Sequence, residues 1–156
     1  MDYGTIEREL YIDASPEVVF EVVSNPRHVV EWWSDQAEFS PTPGDPGWVG
    51  FGDATEGGKQ ERFTVADAVP YRRFSFRWTH EEGETASPGN SLLVVIELEP
   101  SGSGTRLRFT ETGFRERGWD EATAAAWHAD HTKGWDLFLP RLVAYTERIS
   151  AGTRAN

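Results

Sequence analysis

Residues 119–149, WDEATAAAWHADHTKGWDLFLPRLVAYTERI, decide how the rest of the chain is read. Trp127, His131, Trp135, Phe138, Leu142, Tyr145 and Ile149 recur in steps of four and three, so their side chains stack on one face of a helix. Asp130, Lys133, Asp136, Arg141 and Glu147 fall on the other faces and belong in water. About thirty helical residues span roughly 45 Å. A helix so long and so aromatic is stable only against a wide apolar partner. Gly134 interrupts the pattern and predicts a close approach or a weak point. Pro140 removes a backbone donor in mid-helix and predicts a kink. The residues after Ile149, SAGTRAN, read as a frayed tail.

The stretches before this helix alternate and so supply a sheet. Residues 105–112 place Leu107, Phe109 and Glu111 on one face and Arg106, Arg108, Thr110 and Thr112 on the other. Residues 91–99 alternate through Leu92, Val94, Ile96 and Leu98, and PSGSG joins these two strands as a hairpin. Residues 72–79 set Phe74, Phe76 and Trp78 against Arg73, Ser75, Arg77 and Thr79, the mark of an antiparallel sheet with one wet face. Residues 59–69 form a strand with Phe63 and Val65 in phase, and residues 48–52 a short one. DATEGG, residues 53–58, reads as a hairpin turn between them. Residues 39–47, rich in Pro and Gly, read as a loop over an opening; residues 80–90, beginning HEEGE, read as a mobile, solvated tip. At the start, Ile6, Leu10 and Ile12 share a strand face, with Arg8 at the same parity. Ser15-Pro16-Glu17 and Asn25-Pro26 each open a short helix. The adjacent Trp32 and Trp33 of the second point about 100° apart, so one can enter the core and the other face a different space. The fold class is therefore α+β: a curved antiparallel sheet of about six to seven strands wrapped around a long C-terminal helix, with two short helices after strand one. Residues 1–156 read as a single domain, with its core over about 5–149.

The chain has 15 Lys plus Arg against 26 Asp plus Glu, a formal charge of −11, which argues against nucleic acid and against anionic membrane surfaces. It has no cysteine, so disulfides, thiolate chemistry and cysteine metal sites are excluded. No apolar run is long enough to cross a membrane. The charged first residues lack the apolar core of a secretory signal, and a cytoplasmic protein is expected. Seven Trp and nine Phe exceed what a core of this size needs, and suggest the lining of an apolar cavity.

Four stretches carry a resemblance: IERELYIDASPEVVFEVVSNPRHVVEWW, RRFSFRW, RFTETGF and GWDLFLPRLVAYTE. Together they resemble the START-like (SRPBCC) superfamily. Within it, the chain is most similar to the branch of homologues of the activator of the heat-shock protein 90 ATPase. The resemblance implies the helix-grip fold, with a cavity between sheet and helix. It does not imply one activity: relatives bind lipids, polyketides or hormones, some are cyclases, and the name-giving branch stimulates a chaperone.

The expected cavity wall comes from inward strand positions and the facing helix stripe: Trp33, Phe63, Phe74, Phe76, Trp78, Phe109, Trp127, His131, Trp135 and Phe138. Glu111 joins them by parity, unless its place beside Gly113 lets it reach water. A buried carboxylate must be paired, hydrogen-bonded or protonated, and Arg8 and His131 are the candidate partners. His128 and His131 have a metal-ligand spacing, but only Glu111 could add a third ligand, so neither metal nor cofactor is expected. No Gly-x-Ser-x-Gly elbow, phosphate loop or dinucleotide turn is present. The expected function is binding of a small hydrophobic or aromatic ligand by a monomer or weak homodimer. The alternatives are a co-chaperone or stress-response module with a chaperone partner, and a cyclase- or hydrolase-type enzyme using Glu111 or His131 as acid/base.

Overall fold

The computed structural model describes residues 4–52, 58–81 and 83–155, the last three of these by backbone only. The chain runs β1 (Thr5–Ile12), α1 (Pro16–Ser24), α2 (Pro26–Trp32), β2 (Gln36–Glu38), β3 (Pro46–Phe51), β4 (Lys59–Val69), β5 (Arg73–Trp78), β6 (Leu92–Ser101), β7 (Gly104–Thr112) and α3 (Glu121–Ala155). The seven strands form one antiparallel sheet in the order β1-β7-β6-β5-β4-β3-β2. The α+β helix-grip expectation holds.

Local chemistry accounts for the short helices. The Ser15 hydroxyl accepts from Val18 N at 3.4 Å and caps α1. Asn25 serves both helices: its N–H donates to Glu21 O and closes α1, while its side chain accepts from Arg27 N at 2.9 Å and opens α2. The outward charges of the sheet pair across strands, Arg73 and Arg108 with Glu97, and Arg106 with Glu99. In β4 the register shifts between Val65 and Asp67, so Phe63 and Val65 point inward before the shift and Ala68 after it.

Four expectations are corrected. β2 was hidden in a stretch with no alternation, and it pairs with β3 at the edge of the sheet. β3 starts at Pro46, inside the expected loop; a side chain on Gly47 would overlap Phe39 Cβ at 2.5 Å and Glu38 O at 2.6 Å, so only glycine fits where β2 crosses. α3 does not fray after Ile149 but continues to Ala155, because its buried face goes on through Thr146 and Ser150. The chain around residue 80 is not a solvated tip at its start: His80 is buried, with Nε2 3.2 Å from Thr64 Oγ1. The expected turn at residues 53–58 falls, apart from Gly58, outside the described residues.

α3 begins at Glu121, capped by Asp120, whose side chain accepts from Thr123 N at 2.7 Å. It runs unbroken through Pro140. Leu139, Leu142 and Trp135 enter the core beside Phe74, Phe109 and Leu107. Along β1 the helix is fastened by polar links. His128 Nε2 donates to Thr5 O at 3.0 Å, Arg8 Nε donates to Asp136 Oδ1 at 2.8 Å, and Asp13 N donates to Glu147 Oε2 at 2.8 Å. Arg8 therefore pairs with the helix rather than with Glu111, because an exposed carboxylate spares it desolvation. On the far side of the sheet, α3 lies across from β3, β4 and β5 with a gap between.

Candidate functional site

The gap is a groove of about 1090 Å3. Its floor is Trp33, just after α2, with Trp78 of β5 and the next residue, Thr79. One wall is α3, from Ala126 to Phe138; the other is Phe51 of β3 with Lys59 and Glu61 of β4. The rings are in contact: Trp33 lies 5.2 Å from both Trp78 and Trp135 between centroids, and Phe51 lies 6.2 Å from Phe138. At the outer end Trp127 stacks on Trp119 at 4.6 Å.

Deep in this aromatic wall sits Glu111, 0 % exposed. The inward parity is right, and the carboxylate does not reach water. Its Oε2 accepts from Trp78 Nε1 at 2.7 Å; its Oε1 accepts from Trp135 Nε1 at 2.9 Å and from His131 Nδ1 at 2.8 Å. Three donors from β5 and α3 thus converge on one carboxylate from β7, which compensates its removal from water. Of the two candidate partners, His131 is the one that reaches it.

His131 is also enclosed by rings, at 5.3 Å from Trp78, 5.5 Å from Trp127 and 5.7 Å from Phe114. Burial alone pulls its pKa down. The hydrogen bond and charge of Glu111, with Asp130 and Glu61 adding to them, outweigh burial and raise the pKa above the ordinary histidine value. Glu61, facing it across the groove, is raised too: burial lifts its carboxyl pKa against the opposing pull of Lys59 and His131. An ionised carboxylate only accepts, so Nδ1 of His131 carries a proton in either charge state. The second ring nitrogen, Nε2, has no protein partner among the described residues and is not sealed from the groove.

The structure divides the expected site residues. Trp33, Trp78, Trp127, His131, Trp135 and Phe138 line the groove, with Glu111 directly behind. Phe63, Phe74 and Phe76 border a space of only about 10 Å3, and Phe109 packs against Trp135 at 4.6 Å. Sequence reasoning missed Phe51, Lys59, Glu61 and Gly134, which all border the groove. The signal for two of them was present: Lys59 and Glu61 have the parity of Phe63 and Val65 and so face inward. Gly134 makes no close approach, since a Cβ there would meet only Phe138 Cε2 at 3.9 Å. Thr79 closes β5 at φ 71°, a strained value for a β-branched residue, and its buried Oγ1 has no partner among the described residues. Among the described residues no three His, Asp or Glu side chains are arranged to hold a metal ion; His128 is turned to Thr5 O instead.

A family model described as activator of Hsp90 ATPase homolog 1-like protein matches residues 13–147. The chain belongs to that family. Among curated proteins none matches its sequence. Solved structures share the fold of this Hsp90-ATPase-activator-like chain. The protein MLL2253 from Mesorhizobium loti is 21% identical with a TM-score of 0.72, over 92% of this chain and 97% of that one. The Aha1 dimer from Colwellia psychrerythraea is 20% identical with a TM-score of 0.68, over 92% and 96%. DynU16, from the dynemicin biosynthetic locus, is 24% identical with a TM-score of 0.69, over 92% of this chain and 47% of its own longer one. At these identities the likeness is one of fold. These structures share the sheet and helix with this chain. No helix among the described residues is long and apolar enough to cross a membrane.

Proposed function

We propose that this protein binds a small hydrophobic or aromatic molecule in the groove between the curved sheet and α3. The observation that carries the reading is an open space of about 1090 Å3 walled by indole and phenyl rings, bordered by Lys59, Glu61, Asp130 and Lys133, with His131 on Glu111 set among the rings. Ligand sites are concave, mostly apolar and marked by a few placed polar groups, commonly in about 300–1,000 Å3. Flat rings fit flat walls, so aromatic ligands gain most from Trp78, Trp127 and Trp135. The cytoplasmic location expected from the N-terminal sequence belongs to the same reading. Titration with the neutral fluorophore N-phenyl-1-naphthylamine tests it. Saturable dye emission with matching loss of Trp emission, at one dye per chain, is the expected result. A flat response up to the solubility limit sinks the proposal.

One observation favours a second reading. A histidine held by a buried carboxylate, with its other nitrogen open to a groove, is the arrangement of a general acid or base. This is the cyclase- or hydrolase-type alternative, with His131 at the reacting atoms and Glu111 positioning it. Turnover of a groove-bound compound that is lost in His131→Gln would establish it; a bound compound recovered chemically unchanged after long incubation counts against it. The co-chaperone alternative rests on the family's name and on no described surface.

A further inference from the structure

The Glu111–His131 pair decides what kind of oxygen the groove accepts. Glu111 is buried among two indole donors and accepts a hydrogen bond from Nδ1–H of His131. Nδ1 is therefore always a donor, and the state of Nε2 follows from the charge of the ring alone. When the ring is cationic, Nε2 carries a hydrogen and donates. When the ring is neutral, its single proton stays on Nδ1 and Nε2 can only accept. Because Nε2 has no protein partner among the described residues, a bound molecule is what can satisfy it.

We infer that the groove selects its ligand through one hydrogen bond: the Nε2–H of His131, presented between Trp78 and Trp127, takes a neutral, planar ring compound bearing an acceptor oxygen such as a carbonyl. This rests on the binding function proposed above and names the chemistry it prefers. Geometry supplies the ring specificity, since indoles lie 5.3 and 5.5 Å from the imidazole centroid. Charge supplies the preference for a neutral ligand. The cationic ring and Glu111 cancel as a pair, as do Arg8 and Asp136, and what remains around the groove is Glu61 on β4 and Asp130 on α3 against Lys59 and Lys133. A carboxylate ligand would meet no net positive charge there, inside a chain of formal charge −11.

The pH dependence has a definite sign. His131 has a raised pKa, from the Glu111 hydrogen bond and charge acting against burial, with Asp130 and Glu61 in support. Nε2 donates at and below the ordinary histidine range and turns acceptor as the pH rises through the raised value. Preference for a carbonyl is then lost at high pH, while apolar contacts are untouched.

The test uses two isosteric probes, 2-acetylnaphthalene and 2-isopropenylnaphthalene, which differ by an oxygen for a methylene. Their dissociation constants are measured by equilibrium dialysis against the whole protein at about pH 6 and at about pH 9. The expected result is that the ketone binds about tenfold tighter at the lower pH, the scale of one charge-assisted hydrogen bond. The ratio falls towards one at the higher pH, and in His131→Phe at either pH. Equal binding of both probes at low pH overturns the inference and leaves the binding function standing. A ketone preference that persists at high pH, or in His131→Phe, also overturns it. No binding of either probe removes the binding function itself. The wild-type pH comparison needs no substitution, so it decides the matter even where His131→Phe fails to fold.

Discussion

The two flanks of α3 are built differently. Towards β1 the helix is fastened by His128 to Thr5, Asp136 to Arg8 and Glu147 to Asp13, with Leu139 and Leu142 packed beneath. Towards β3, β4 and β5 it makes no such links among the described residues, and the space is bordered by ring faces and a few charges. One helix and one sheet thus give a closed seam and an open groove. The seam fixes the distance of the helix from the sheet, and the groove is what that distance leaves on the far side. Stability is concentrated in what lies under the helix and in the Glu111 cluster, and recognition in what the helix fails to cover.

The sharpest way to break this division is at Glu111, which belongs to both sides. Glu111→Ala leaves two indole N–H groups and an imidazole without their acceptor, and should cost about 3–5 kcal/mol in denaturant unfolding. A loss under about 1 kcal/mol would mean the cluster is not structural. Next, Leu139→Ala beneath the helix should cost about 2–5 kcal/mol, whereas Phe138→Ala, half-buried on the groove side, should cost less and weaken N-phenyl-1-naphthylamine binding more. The reverse ranking would undo the comparison.

The intermediate test is pH. His131 has a folded-state pKa raised above its unfolded value, so its stabilisation is present in full below about pH 6.5 and is lost as the pH climbs through the folded value. The urea midpoint should fall over that window in the wild type and stay level in His131→Gln. Gly134→Ala should raise stability by about 1 kcal/mol, since helix propensity improves and the new methyl meets only Phe138 at 3.9 Å, while taking space from the groove. The smallest effect belongs to the exposed seam pair. Arg8→Ala should cost about 0.2–1 kcal/mol, and less in high salt.

Most of the scaffold was legible because it rests on local rules. Alternation through Phe74, Phe76 and Trp78 marks a strand, Ser15 and Asn25 are caps whatever lies around them, and the stripe on α3 needs only its own spacing. What failed was non-local. Three residues of β2 have too few positions to alternate. Parity puts Phe74 and Trp78 on the same face but cannot tell which meets packed core and which meets a gap, because that depends on where α3 lies. For the same reason Glu111 was legible as inward, but its two indole donors were not. Parity put Arg8 on the helix side of β1, where it lies, but could not say that its partner there is Asp136 rather than Glu111.

The strand order has a consequence for how the molecule is made. β2 to β7 join neighbour to neighbour, each strand pairing with the one just completed. β1 is the exception: Ile6 faces Glu111 and Thr5 faces Thr112. During synthesis, then, β1 emerges well before β7 and has no partner until β7 is finished. Closing so distant a pairing is the slow step expected of this topology. Until it closes, Ile6 and Ile12 are exposed to other chains, so a slowed ribosome or an early truncation should release aggregates rather than half-built folds.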